Sequence, residues 1–295
     1  SRPAAMRETP LANYARPQTL EEALDLLAKG RWRVLAGGTD FYPGQGARPI
    51  RENILDINRL DELRGIARTD DAYVVGARTT WSELIAHDLP PSFDALKAAA
   101  REVGSVQIQN AATVAGNLCN ASPAADGAPP LLVLDASVEI AARAGRRRVP
   151  LGAFVRGNRE TALAPDEMVV ALVVPRAATA GSSGFVKLGA RRYLVISIAM
   201  AAARVALAED GTIGEIALAL GACSPVARRM TTLEEALRGR RPDATLDFGP
   251  DQLVELSPID DVRASAAYRR EAAAEILRRA IRQACDDGAG KEKAA

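Results

Sequence analysis

His87 is the only histidine among 295 residues, and there are three cysteines, Cys119, Cys223 and Cys285, far apart in sequence. A histidine-built metal cluster is therefore excluded, and any Ser–His or Cys–His nucleophile pair has to use His87. That residue follows the helical-looking "TWSELIA" and reads as a surface or cap residue. No C-x-x-C pair occurs, so the usual zinc and iron–sulfur ligand spacings are missing. The N-terminal "SRPAAMRETP" lacks the apolar core of a signal peptide. With an odd cysteine count, this points to reduced thiols and a cytoplasmic protein. No apolar run reaches the about 18 residues that a membrane-spanning helix needs. Charge of one sign is lacking too: 38 Lys and Arg face 37 Asp and Glu. The basic footprint of a nucleic-acid binder is absent.

What is present is an ordinary globular composition, 48% hydrophobic and 25% charged, in a chain long enough for two domains and a sizeable core. "TLEEALDLLAKG" (residues 19–30) reads as an amphipathic helix, with Thr19 as N-cap and Glu22 three residues on. "RVLA" and "ENILDIN" read as short strands on either side of a glycine turn. "GIARTDDAYVVGART" reads as a hairpin around Asp-Asp. "TWSELIAHD" opens a helix with Thr80 as cap and Glu83 at the capping-box position, and "SFDALKAAAREVG" is a further helix. Residues 105–136 read as the least regular stretch. The basic "RAGRRR" reads as a solvated hairpin tip rather than a phosphate site. "DEMVVALVVP" is an apolar strand, and small polar residues at 176–184 mark a boundary. Strands, the helix "TTLEEALRG" and a final helix over 265–284 follow. The tail at 287–295 is expected to be mobile.

Two stretches carry chemistry. In "LAGGTD", glycines follow a buried strand. Such a turn admits positive φ, and its successive N–H groups suit an anion such as phosphate. It is not G-x-G-x-x-G and opens no clear helix, so the Rossmann signature is missing. In "TVAGNLCNASPAADGAPP", small residues (Ala112, Ala115, Gly116, Ala121) alternate with short donors and acceptors (Thr113, Asn117, Asn120, Ser122, Asp126). The two loops are read as opposite walls of one cleft.

Together, in this order, "LAGGTD" and "TVAGNLCNASPAADGAPPLLVLDA" resemble the FAD-binding subunit, or domain, of the molybdenum hydroxylases, the family of xanthine dehydrogenase and aerobic carbon monoxide dehydrogenase. "GFVKLGARR" resembles the family's Phe-x-Lys-x-x-x-Arg strand. The likeness extends from about Leu11 to Ala284. It implies an α+β fold: a two-part FAD-binding domain of the vanillyl-alcohol oxidase / p-cresol methylhydroxylase type over 1–178, with a small α/β part at 1–58 and a larger α+β part at 59–178. A C-terminal α+β domain with an antiparallel sheet follows over 183–286.

By the same resemblance, Val34, Leu35, Ala36, Gly37, Gly38, Thr39, Asp40 and Phe41 hold the pyrophosphate and ribityl chain of FAD. Ala112, Thr113, Gly116, Asn117, Asn120 and Asp126 close over the rest. Val103 and Gly104 line the adenine side. Val169 or Val170 packs by the isoalloxazine ring, Lys187 lies near it, and Tyr193 shields its face. No acid/base catalyst is implied in this chain. The implied partners are a large molybdenum-cofactor subunit, a small subunit with two [2Fe–2S] clusters, and an external acceptor: NAD, oxygen, quinone or a carrier protein. A freestanding FAD-dependent oxidoreductase and a non-redox nucleotide-binding module are the alternatives. The family usually has Thr-x-Gly-Gly-Asn where this chain has Thr113-Val114-Ala115-Gly116-Asn117. A methyl at Ala115 fits only at negative φ. The family's commoner arginine before this loop is Gln109 here.

Overall fold

A computed structural model describes residues 12–191, 196–242, 246–258, 260–261 and 264–292; Tyr193 lies outside them. The chain begins with a three-stranded parallel sheet in the order β1-β3-β2, formed by β1 (Tyr14–Ala15), β2 (Arg33–Leu35) and β3 (Ile54–Asp56). Helix α1 (Leu20–Lys29) starts at Thr19, whose hydroxyl accepts the Glu22 N–H at 3.2 Å, and it buries Leu20, Ala23 and Leu27. After β2 a five-residue helix, α2 (Phe41–Gln45), follows the glycines directly. The expectation that this loop opens no helix was therefore wrong. At five residues it is shorter than two turns, too short for hydrophobic periodicity to show.

The hairpin expected around Asp-Asp is present as β4 (Ile66–Arg68) and β5 (Ala72–Gly76). Helix α3 (Trp81–Ala86) has the capping box, with the Thr80 N–H donating to Glu83 and the Glu83 N–H to Thr80. Exposed His87 ends that helix as its C-cap. After α4 (Asp94–Glu102) the stretch read as irregular holds three short helices: α5 (Val106–Ala111), α6 (Val114–Asn120) and α7 (Ala128–Val133). Each is under two turns long. Local caps define the first two, Ser105 for α5 and Thr113 for α6.

Strands β6 (Ser137–Ala142) and β7 (Gly145–Pro150) come next. Arg146, Arg147 and Arg148 lie along β7, not at the hairpin tip, and all three are ion-paired, with Glu139 or Glu167. Helix α8 (Leu151–Phe154) and the small hairpin β8 (Val155–Gly157) and β9 (Glu160–Thr161) lead to β10 (Met168–Pro175). Strand β10 is central in an antiparallel sheet of order β4-β5-β10-β6-β7.

The last third forms the antiparallel sheet β11 (Ser182–Leu188), β12 (Ala199–Leu207), β13 (Ile213–Gly221) and β14 (Arg228–Arg229), with α9 (Thr231–Leu237) and α10 (Ala266–Glu292). Helix α10 starts where expected but continues past Ala284. On β12, Ala199, Ala201, Ala203 and Val205 face a core shared with α10. Met200 and Ala202, with Ala217 and Ala219 of β13, face the core of the preceding region. Helices α4 and α7 cover that second face. Gly184 admits α10 to the sheet: a Cβ there would sit 2.4 Å from the Ala280 carbonyl oxygen. No helix among the described residues is long and apolar enough to cross a membrane.

Candidate cofactor site

The first loop leaves the carboxyl end of parallel strand β2, the position where open α/β sheets take ligands. Val34 is exposed on this edge strand, while Leu35 is buried with Phe41 and Ile54. The chain then turns at Ala36 and Gly37, and Gly38 takes φ +69°. Among the described residues, the backbone N–H groups of Gly37, Gly38, Thr39, Asp40 and Phe41 donate no hydrogen bond. A run of five N–H groups without a protein acceptor is of the kind that suits an anion.

The two loops meet backbone to backbone. A Cβ on Gly37 would lie 2.0 Å from the Ala111 carbonyl oxygen. Gly37 is thus required for the close approach of the two walls, and the left-handed turn falls to Gly38. Across the mouth, Asn120 donates to the Asp40 carboxylate at 2.9 Å, and the Arg159 guanidinium donates to the Asn120 carbonyl.

On the second wall, the Thr113 hydroxyl caps α6 by accepting the Gly116 N–H at 3.0 Å. A Cβ on Gly116 would stand 2.6 Å from that hydroxyl, so Gly116 protects the cap. Ala115 is buried within the first turn of α6 and is not at positive φ. Its methyl fits for that reason. Ala112 is buried, and its carbonyl accepts the Trp81 N–H, which joins this wall to α3. The Asn117 side-chain amide oxygen accepts the Gly127 N–H at 3.2 Å and thereby holds the following loop. Gln109 is buried and donates to the Arg101 carbonyl.

Asp126 ends this loop against the C-terminal sheet. Its carboxylate accepts Lys187 Nζ at 2.7 Å and Ser197 Oγ at 2.8 Å. Burial pushes its pKa up, and Lys187 and Ser197 pull it back. Gly104, at φ +55°, links α4 to α5, beside half-buried Val103. Val169 and Val170 are both buried in β10 on opposite faces: Val169 in the larger core, Val170 against the small sheet and α1.

Two cavities adjoin these walls. One, of about 740 Å³, is lined by Asp40, Phe41 and Asn120 together with Arg33, Arg48, Arg51 and Arg159. The second, of about 360 Å³, is lined by Lys187, Glu102, Phe185 and Leu188 among others. Both volumes fall in the range of about 300–1,000 Å³ common for cofactor sites. Four arginines outnumber the two carboxylates of this cavity, Asp40 and Glu52, the latter paired with Arg33 at 3.1 Å, and this excess of cations suits an anionic ligand. The sequence reading brought forward Asp40, Phe41 and Asn120 but missed the arginines of the cleft. They come from three segments, β2, the loop between α2 and β3, and the β8–β9 turn, and no local motif marks them.

A family model described as the FAD binding domain in molybdopterin dehydrogenase matches residues 7–177, and that of the CO dehydrogenase flavoprotein C-terminal domain matches residues 185–284. The chain is 34% identical over 292 residues to the putative xanthine dehydrogenase FAD-binding subunit XdhB of Escherichia coli K12, covering 95% of this chain and 98% of that protein. It is 28% identical to the carbon monoxide dehydrogenase medium chain of Hydrogenophaga pseudoflava, covering 93% and 97%. Among solved structures, a chain of reconstituted CO dehydrogenase from Oligotropha carboxidovorans superposes with a TM-score of 0.86 at 26% identity, covering 94% and 98%.

Proposed function

The chain belongs to the FAD-binding subunits of the xanthine dehydrogenase and carbon monoxide dehydrogenase family of molybdenum hydroxylases, and from that premise we propose that it is the electron-transfer flavoprotein of a three-part enzyme. The single observation that carries the placement of FAD is the run of unpaired N–H groups from Gly37 to Phe41. These amides hold the pyrophosphate, with Thr39 adding its hydroxyl. Val34, Leu35 and Ala36 form the floor, and Asp40 sits at the mouth. Ala112, Thr113, Gly116, Asn117 and Asn120 make the facing wall. Val103 and Gly104 border the adenine side. Val169 or Val170 packs by the ring, and Lys187 with Asp126 bounds its polar edge. Tyr193, outside the described residues, is assigned to the ring face.

FAD, when bound, would supply the change between one-electron and two-electron transfer, and the protein supplies position and electrostatics. In this reading, a small partner subunit with two [2Fe–2S] clusters delivers the electrons. A large subunit with the molybdenum cofactor withdraws them from the substrate. The acceptor is NAD, oxygen, quinone or a carrier protein.

The test is to purify the chain and measure flavin absorbance and FAD stoichiometry, then assay oxidation of aldehydes, purines and N-heterocycles with and without its partner subunits. One FAD per chain and activity only with the partners is the expected result. A colourless chain unable to take up FAD overturns the flavin assignment, and activity of the chain alone overturns the subunit assignment.

A further inference from the structure

Asp56 is the last residue of β3, central in the parallel sheet, and its side chain is buried. A buried carboxylate next to an anion-binding loop is unfavourable unless it is well partnered. Asp56 has four donors. Tyr14 Oη and the Asn58 side-chain amide donate to it, the latter at 2.8 Å; the Asn58 backbone N–H donates at 2.8 Å, and Arg16 Nε lies at 3.4 Å. The Asn58 amide nitrogen donates a second time, at 2.8 Å, to the carbonyl of Ala36, the residue that opens the glycine loop. One residue earlier on each strand, Ile57 N–H donates to the Leu35 carbonyl at 3.0 Å.

We infer that Asp56 and Asn58 are positioning residues for the cofactor, setting the direction of the amides that hold its diphosphate. The physical step is the planarity of the trans peptide, in which C=O and N–H point in opposite directions. Drawing the Ala36 carbonyl towards Asn58 turns the Gly37 N–H the other way, into the run of unpaired donors. An asparagine side chain has a donor end and an acceptor end. Asp56, an acceptor only, holds the donor end of Asn58 towards both itself and Ala36. Tyr14 and Arg16 hold Asp56 in turn. Neither Asp56 nor Asn58 is among the residues expected to touch FAD, and the inference rests on placing the diphosphate at the Gly37–Phe41 loop.

The test uses the full chain freed of flavin, with FAD and ADP titrated separately and ADP also tested as a competitor of FAD. Asn58→Ala and Asp56→Asn are each expected to raise Kd for both ligands about tenfold, the effect of about one mis-set hydrogen bond. Tyr14→Phe, which trims an exposed side chain, gives a smaller rise of about threefold. Backbone amide resonances of Gly37 and Gly38 are expected to shift in all three variants before ligand is added, with thermal midpoints close to the parent's. If ADP does not compete with FAD in the unaltered chain, the placement of the diphosphate fails. If ADP competes but the folded variants bind both ligands like the parent, the inference is overturned. Should Asn58→Ala and Asp56→Asn not fold, an unaltered Kd in Tyr14→Phe overturns it.

Discussion

Gly37 and Gly38 are adjacent, yet their substitutions have different consequences. Gly38 needs a left-handed backbone, and a Cβ there would overlap the ring of Tyr42, an exposed side chain, while touching Leu35 at ordinary contact distance. Gly38→Ala is expected to cost about 1–2 kcal/mol. Gly37 has ordinary φ but no room, because the obstacle is the backbone of the opposite wall. Gly37→Ala therefore has to part the two loops, at about 2–3 kcal/mol, and is the variant expected to release FAD. Gly44 in α2 has open space around it, so Gly44→Ala is expected to stabilise by about 0.5–1 kcal/mol. Urea midpoints of the three variants, with flavin content measured alongside, check this order. The glycine pair was legible as a turn that admits positive φ. The division of labour between the two was not, because the neighbour that confines Gly37 is Ala111, far along the chain.

At the scale of elements, short pieces held by caps and pairs escaped the sequence reading. Helix α6 has seven residues and depends on Thr113 at its start. Thr113→Ala is expected to lower stability by about 1 kcal/mol and to loosen the second wall; a thermal melt with FAD titration detects both. Longer elements such as α1 and β10 were legible, α1 from its amphipathic repeat and β10 from its continuous apolar run. On β7, Arg147 makes a two-pronged bond to Glu167, with both contacts at 2.7 Å. That bond, opposed by partial burial, holds the Glu167 carboxyl below the ordinary carboxylate range. A carboxylate whose folded pKa is depressed adds stability above its unfolded pKa of about 4.3 and loses it as pH falls through the folded value. Glu167→Gln should thus cost about 0.5–1 kcal/mol at pH 7 and almost nothing below the folded pKa. Urea titrations across that range give the comparison.

At the scale of the whole molecule, the C-terminal sheet is shared. Its second face is closed by α4 and α7, and buried Arg204 donates from β12 to the Val133 carbonyl at the end of α7. Arg229 of β14 donates to the Leu132 carbonyl beside it. The Asp126–Lys187 pair joins the second loop to the same sheet, so loop and sheet are mechanically linked. Lys187→Met leaves the Asp126 carboxylate buried beside Ser197 without its cation, at an expected cost of about 3 kcal/mol near neutral pH. The pKa shift is opposite in direction to that on β7, while the deficit again disappears in acid. Burial already raises the Asp126 pKa, and losing Lys187 raises it further. The deficit should therefore vanish below the unfolded pKa of about 3.9 and grow as pH rises towards the folded value. Denaturation at several pH values measures this directly.

The sequence by itself determined the long elements, the order of the two loops and the family, because periodicity, caps and motif order are properties of neighbours along the chain. Only the tertiary structure decided which surfaces these elements share. It brought Ala111 against Gly37, Asn58 to Ala36, Lys187 to Asp126 and four arginines to one cleft. Each of these contacts joins segments from different strands, helices or loops, and the approach of two backbones is set by packing, which no local pattern encodes.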